Sequence, residues 1–453
     1  MTYFFETYGC QMNVAESAAL KAVLAERGWT AASGGEDADL VLINTCSVRR
    51  TAEERALGRL AQLAALKKRR AALGRFLTVV AAGCMAQRMG AELKERGADY
   101  VMGTAARSVF PLILERAEGS AGSGPSPEPP PLFVENPVFA FSSSHLEEGS
   151  FRSFVPIMHG CNNFCSYCIV PHVRGREISR DPAAIMQEIR LLGEHGVREI
   201  TLLGQNVNTY RWEGEGAGGK LDFPGLLRLT AAAVEKTPIK WVRFLSANPK
   251  DFSRETIRVM AEHPVFCRHL HLCVQHGSND ILKAMNRRYT REQYLELAGE
   301  IREALPGISL STDILVGFPG ETEEDVERTL DLMNRVRFLY SYMYHYNPRE
   351  GTAACNLPNR IDEDLKKRRL GRVIALQKAH TLELLKGRIG CRAAALVEGI
   401  SRKNADELVA RTERDEMAVF PGKASRIGSF TEVTLASLRG NTFRAAEVLP
   451  KEC

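Results

Sequence analysis

The sequence predicts an α/β protein in three parts: an N-terminal parallel-sheet domain, a central TIM-type and possibly open barrel, and a small C-terminal antiparallel β-barrel. Three observations carry this. Strand-like and helix-like segments alternate over residues 1–118 and again from about 150 to 385, the pattern of parallel sheets covered by helices. The stretch 119–131, GSAGSGPSPEPPP, joins a flexible half to a stiff half and cannot form a packed element, so a boundary falls there. In the last 65 or so residues, short β-rich runs follow one another between turn signals. A chain of 453 residues, at roughly 150 per domain, agrees with three parts.

In order, strands are expected at 2–8, 39–44, 76–82 and 99–102, with helices at 14–27, 52–70 and 85–96 between them. Barrel strands follow at 153–158, 199–203, 241–245, 269–274, 310–316 and 340–346, with helices at 182–195, 223–236, 256–262 and 321–336. A long basic helix over about 362–386 leads out to short strands at 394–398, 408–411, 417–420, 430–435 and 443–448. The expected limits are 1–118 for the first domain, 119–146 for the linker, 147–383 for the barrel and 384–453 for the last domain.

Hydrophobic residues at 44% and charged residues at 25% exclude a disordered chain, a collagen and a coiled coil. No apolar run reaches the roughly 18 residues of a membrane span. The N-terminus, MTYFFE, enters a strand pattern directly, so no leader is expected and the cytoplasm is the default. A net charge of +5 does not by itself indicate nucleic acid. Eleven cysteines, an odd number, point to metal binding or catalysis rather than disulfides in such a compartment.

The strongest local signal is HGCNNFCSYC, with Cys161, Cys165 and Cys168 spaced C-x3-C-x2-C. Three thiolates on one tight loop can hold three irons of a [4Fe-4S] cubane, leaving the fourth iron to a small molecule. A zinc site is the alternative, with His159 or His172 as a fourth ligand, although structural zinc more often uses two C-x2-C pairs. A second set precedes the linker. Cys10, Cys46 and Cys84 each close an apolar strand pattern, and in an open parallel sheet those strand ends share one ligand-binding edge. A second three-cysteine [4Fe-4S] cluster is the reading preferred over three buried structural cysteines.

With both sets in view, the chain resembles the methylthiotransferases of the radical S-adenosylmethionine (SAM) superfamily over nearly its whole length. The segments are TYGCQMNVAES (7–17), INTCSVRRTAEE (43–54), GCMAQR (83–88), GCNNFCSYCIVPHVRGREISR (160–180), LLGQNVNTY (202–210), STDILVGFPGETEED (311–325) and SRKNADELVARTERDEMAVFPG (401–422). GCQMN and GQNVNTY favour the branch acting on isopentenylated adenosine of tRNA. Its sisters act on threonylcarbamoyl-adenosine or on a ribosomal protein, and a non-enzymatic cluster carrier or RNA-binding protein is the rival from another class.

The resemblance implies two [4Fe-4S] clusters, SAM cleaved reductively to a 5′-deoxyadenosyl radical at Cys161, Cys165 and Cys168, and a methylthio group placed on carbon 2 of an adenine beside the anticodon. It also implies a C-terminal TRAM domain that binds the tRNA anticodon loop, an electron donor such as flavodoxin or ferredoxin, and a sulfur or cluster donor. A monomer is expected. The N-terminal sheet edge is expected to face the barrel mouth with the target base between, because radical formation and sulfur donation must meet at one atom.

SAM-contact candidates near the barrel mouth are Tyr167, Gln205, Asn206, Ser246, Gln275 and Asp313, some of which could instead satisfy strand-end backbone. Arg174 and Arg176 could bind a carboxylate or phosphate, or form surface ion pairs. Residues 67–70, residues 366–369 and the TRAM-like Arg402, Lys403, Arg411 and Arg414 are tRNA candidates. Two departures stand out. HLCVQHGS (271–278) has Cys273 and His276 where the family more usually has proline and serine, and NPREGTAAC (347–355) lacks the customary proline after Gly-Thr. A further metal site at Cys273 and His276 is less expected than packing and hydrogen bonding.

Overall fold

A computed structural model describes residues 1–47, 50–120, 149–214 and 219–448. In the first domain β1 (Thr2–Tyr8), β2 (Thr30–Ala31), β3 (Leu40–Thr45), β4 (Thr78–Gly83) and β5 (Tyr100–Met102) form one parallel sheet of order β2-β1-β3-β4-β5. Strand β3 is buried along its whole length because both sheet faces are covered. Helices α1 (Gln11–Glu26) and α4 (Phe110–Ser120) bury Leu20, Leu24, Phe110 and Ile113 against Leu40 and Leu42. On the other face, α2 (Arg50–Ala71) and α3 (Cys84–Glu95) bury Leu60, Leu63 and Met85 against Val41 and Ile43. Helix α4 was not expected, and it carries Gly119 and Ser120, which the sequence reading gave to the linker. Its apolar stripe of Phe110, Ile113, Leu114 and Ala117 holds the helix to the sheet that far. The rest of the proposed linker, to residue 146, lies outside the described residues.

The central part begins with β6 (Arg152–Pro156) and the short ribbon of β7 (Met158–His159) and β8 (Ile178–Ser179). Next come β9 (Glu199–Leu203), an unexpected hairpin of β10 (Arg211–Glu213) and β11 (Lys220–Asp222), then β12 (Trp241–Phe244), β13 (His269–His271), β14 (Ser309–Val316) and β15 (Tyr340–His345). Two parallel three-stranded sheets, β6-β9-β12 and β13-β14-β15, join through the single bridges Val242–Phe266 and Ala247–Leu272. No pairing between β15 and β6 exists among the described residues, so the six-stranded barrel is open at that seam. The expected strand 269–274 stops at His271, where the bridged loop to Gln275 takes over.

The last domain is a closed barrel of β16 (Arg392–Ser401), β17 (Asn404–Thr412), β18 (Met417–Pro421), β19 (Phe430–Arg439) and β20 (Thr442–Glu447). It is antiparallel except between β18 and β20, which run parallel. It sits across the N-terminal ends of the central strands. Arg152 at the start of β6 pairs with Glu398 at 2.7 Å, and Trp241 at the start of β12 meets the Phe430 ring edge-on at 4.9 Å. Ser309 at the start of β14 donates to the Arg414 carbonyl at 2.7 Å, and Tyr340 at the start of β15 donates to Asp415 at 2.7 Å. Among the described residues, no helix is long and apolar enough to cross a membrane.

Candidate active site

The register of the first sheet sets the N-terminal cysteines side by side. Tyr8 lies opposite Thr45, and Thr45 opposite Gly83, so three adjacent strands end level and deliver Cys10, Cys46 and Cys84 to one edge. Cys10 caps α1 and Cys84 opens α3, so both sit where helix N-termini favour a thiolate. Gly83 has φ +94°, and a Cβ there would meet the Thr45 carbonyl oxygen at 2.6 Å, so glycine is required for this turn. A buried polar lattice fixes the edge. The Asn13 amide donates to Asn44 at 3.0 Å, and the Asn44 amide donates to the Asn13 carbonyl at 2.9 Å and to Ser17 at 3.0 Å. Hydrogen bonding from Cys46 lowers the Cys10 thiol to about 6, while burial raises Cys84.

The second set lies in the loop after β7. Gly160 at φ +79° lets the chain pass the Arg176 carbonyl, which a Cβ would strike at 2.0 Å. The loop is then pinned from other elements: Ser166 N–H donates to the Met285 carbonyl at 3.1 Å, Ala354 N–H to the Ser166 carbonyl at 2.8 Å, and the Asn286 amide to the Phe164 carbonyl at 2.9 Å. Burial raises Cys161 to about 11 and Cys168 to about 12. Arg287, which the sequence reading overlooked, is buried and donates to Cys165 Sγ at 3.3 Å and to the Cys273 carbonyl at 2.9 Å. Two adjacent arginines in NRRYT (286–290) were the available signal, but the bond to Cys165 spans 122 positions.

One cavity of about 820 Å³ is lined by Cys10 and Cys46 from the first domain and by Cys168 from the second. Tyr167, Ser246, Gln275 and Asp313 also line it. Gln205 and Asn206 do not. Asn206 is buried and donates to Asp251 at 3.1 Å, tying the loop after β9 to the segment after β12. Tyr340, Tyr342, Tyr344 and Tyr346, alternate residues of β15 and its end, all face the cavity. Tyr342 and Tyr344 are 45% and 38% exposed, and the Tyr342 ring meets His271 and Tyr340 at 5.7 Å. At the far end the cavity reaches Arg411 and Asp415 of the last barrel.

Both thiol triplets suit the clusters that the sequence pattern implies. Each is an all-sulfur donor set on a fixed loop, and Arg287 adds the kind of hydrogen bond to sulfur that tunes such centres. For a Cys3His zinc site, neither candidate histidine has the expected place: His159 is buried 3.4 Å from Arg174, and His172 is exposed.

Several cationic candidates have structural partners instead. Arg174 is buried in an ion pair with Glu16 at 2.6 Å and so joins the first domain to the second, while Arg176 lies 4.4 Å over the Phe164 ring. Arg70 is buried and donates to the Ala38 carbonyl, and Lys67 pairs with Asp99. Lys366 lies over the Tyr346 ring at 5.7 Å, and Arg369 bonds Glu321 and Glu323. Arg411 is held by Glu199, Glu398 and Asp415, and Arg414 is largely covered beside Glu416. Arg402 and Lys403 remain exposed at the β16–β17 turn. His276 is buried against Glu321 at 3.1 Å and takes no part with Cys273.

Comparison with known proteins agrees with this architecture. Residues 2–103 match the uncharacterized protein family UPF0004, residues 155–333 the radical SAM superfamily, and residues 389–446 the TRAM domain. The chain is 51% identical over 454 residues to tRNA-2-methylthio-N(6)-dimethylallyladenosine synthase of Treponema pallidum (strain Nichols), covering 98% of each chain. It is 50% identical over 465 residues to the synthase of Treponema denticola, covering 98% of this chain and 99% of that one. To that of Bacteroides fragilis (strain YCH46) it is 42% identical over 447 residues, covering 98% and 95%. Among solved structures, the radical S-adenosylmethionine methyltransferase TsrM from Kitasatospora setae shares the fold, with a TM-score of 0.58 and 18% identity over 78% of this chain and 77% of that one. Level strand ends, a pinned cysteine loop and full-length likeness converge: the chain belongs to the radical SAM tRNA-2-methylthio-N(6)-dimethylallyladenosine synthase family.

Proposed function

We infer that the protein places a methylthio group on carbon 2 of N6-isopentenyladenosine next to the anticodon of tRNA. The observation that carries this is the shared cavity, in which Cys10 and Cys46 confront Cys168 across a space large enough for a nucleoside. Cys161, Cys165 and Cys168 would hold one [4Fe-4S] cluster, and Cys10, Cys46 and Cys84 the other. When bound, these groups and SAM supply reductive radical formation and the methylthio donor.

The chain's own residues orient and enclose. Tyr167, Ser246, Gln275 and Asp313 offer polar and aromatic contacts for SAM in the cavity that Cys168 also lines, while Asn206 ties the loop after β9 to Asp251. Tyr342 and Tyr344 are exposed aromatic residues lining the cavity, where a base flipped from a single-stranded loop can be accommodated at lower cost than one pulled from a duplex. Arg402 and Lys403 offer exposed charge to phosphate from the TRAM domain. We assign the remaining partners as a flavodoxin- or ferredoxin-like electron donor and a sulfur or cluster donor, with the enzyme acting as a cytoplasmic monomer.

Anaerobic reconstitution followed by SAM, dithionite and isopentenylated tRNA tests the reading, with nucleosides and deoxyadenosine measured by mass spectrometry. Methylthio-isopentenyladenosine with deoxyadenosine is the expected result. Deoxyadenosine alone would transfer the reading to a sister substrate, and neither product from iron-loaded protein would overturn it. Alanine at 161, 165 and 168 together should leave about four of roughly eight irons and abolish deoxyadenosine formation.

A further inference from the structure

Inside the central barrel, three side chains of different chemistry converge, and of these only Asp313 has a role in the reading above, as a SAM contact. His271 lies on β13 and Asp313 on the paired strand β14, with His271 Nε2 3.6 Å from Asp313 Oδ2. Cys273 follows two residues after His271, and the ligand atoms of all three lie within 4.8 Å of one another. The imidazole is oriented from behind: its Nδ1 is 2.9 Å from Ser311 Oγ, so Nε2 faces the carboxylate and thiol. A histidine held through one ring nitrogen with the other presented to a carboxylate and a thiol is the usual support of a metal ligand. His271 and Asp313 also line the cavity, which gives an ion an entry path and leaves one coordination position facing open space.

We propose that His271, Cys273 and Asp313 form a three-ligand site for a divalent transition metal of the zinc type, open to the cavity at its fourth position. One nitrogen, one sulfur and one oxygen suit zinc, whereas calcium and magnesium select oxygen-only sets. Binding displaces the Cys273 proton to solvent, and the thiolate and carboxylate together balance the charge of the ion. Arg287 stays committed to the Cys273 carbonyl and Cys165 Sγ, so it does not occupy the ligand position. An ion there narrows the cavity beside Gln275 and Asp313, and zinc therefore opposes whatever fills that wall.

The test is made on the holoenzyme with both clusters loaded. One equivalent of zinc is added, free metal is removed, and zinc and iron are counted before the zinc K-edge absorption is recorded. The expected result is about one zinc per chain with one sulfur neighbour near 2.3 Å and the remaining neighbours near 2.0 Å, at unchanged iron. Cys273→Ala should retain at least about tenfold less zinc. Cys273→Ser, which preserves size, should lose the sulfur neighbour while keeping iron content and melting temperature. Three or four sulfur neighbours, no zinc retained by the unaltered protein, or equal retention by Cys273→Ala would each overturn the proposal. The readout is the metal's own edge, so failure here is separate from failure of the assigned reaction.

Discussion

At the scale of single residues, hydrogen bonding from Cys46 sets Cys10 apart by lowering its thiol to about 6. In cluster-free protein Cys10 should be alkylated by iodoacetamide before Cys161 and Cys168 at pH 7, with the rate falling as pH drops through about 6. Cys168, raised by burial to about 12, should remain unlabelled at neutral pH; peptide mass spectrometry over a pH series checks both. Glu16 and Arg174 make the opposite kind of site, a buried charge pair between domains. Removing one partner strands the other, so Arg174→Met should cost about 3–5 kcal/mol in denaturant unfolding. The six cysteines could be singled out in sequence because cluster chemistry permits few residue types at fixed spacings, and the structure sets Cys10, Cys46 and Cys84 at one strand edge. Arg287, Arg174 and Arg411 could not be read in this way, because a cation's partner is chosen by tertiary contact, and sequence cannot tell a cation that meets carboxylate from one that meets phosphate.

At the scale of elements, β15 carries a row of tyrosines on one face. Tyr344→Ala should lower kcat/KM for tRNA by roughly 5- to 150-fold, the range expected for losing one base-stacking contact, while Tyr344→Phe should stay near the unaltered enzyme. Steady-state kinetics on an anticodon stem-loop would decide it, and equal activity of the alanine variant would remove the ring from substrate binding. Most strands were readable from apolar runs bounded by turns. Helix Arg291–Ala304 was passed over although Thr290 and Gln293 form a capping box in plain sequence, and α4 was passed over where proline and glycine nearby read as linker. Strand β13 came out shorter than its apolar run because Cys273 and Gln275 leave the ladder for a bridged loop, and Gln275 turns to φ +69°.

At the scale of the molecule, the two terminal domains grip opposite ends of the central barrel. The first joins near the cysteine loop through Glu16 and Arg174, and the last closes the strand starts through Arg411, Glu199, Glu398 and Asp415. Burial works against the Asp415 charge, yet Arg243 and Arg411 help hold its carboxyl well below the usual range. The stabilisation from that lowered carboxyl is therefore present above the ordinary aspartate value and is lost only as pH falls towards the folded one. Melting curves between pH 7 and 5 should show no contribution from this group, whereas Arg411→Ala should lower the melting temperature at both. Replacing Arg402 and Lys403 by alanine should reduce the salt slope of tRNA binding by up to about two. The order of the three parts was legible in composition and period. The first domain's sheet edge was expected at the barrel mouth, but that the last domain would cover the strand starts was not legible, because Arg152 and Glu398, which join them, lie 246 positions apart.

The seam between β15 and β6 has a further consequence. A gap in the wall is a leak: water and small solutes reach the chamber as readily as a nucleotide does. An anticodon loop seated at this gap would exclude water from the chamber as it delivers its base. Turnover of SAM without tRNA should then be wasteful, forming deoxyadenosine with no methylthiolated product. A seated anticodon loop should bring deoxyadenosine and product towards equal amounts, making the substrate a structural member of the enzyme that modifies it.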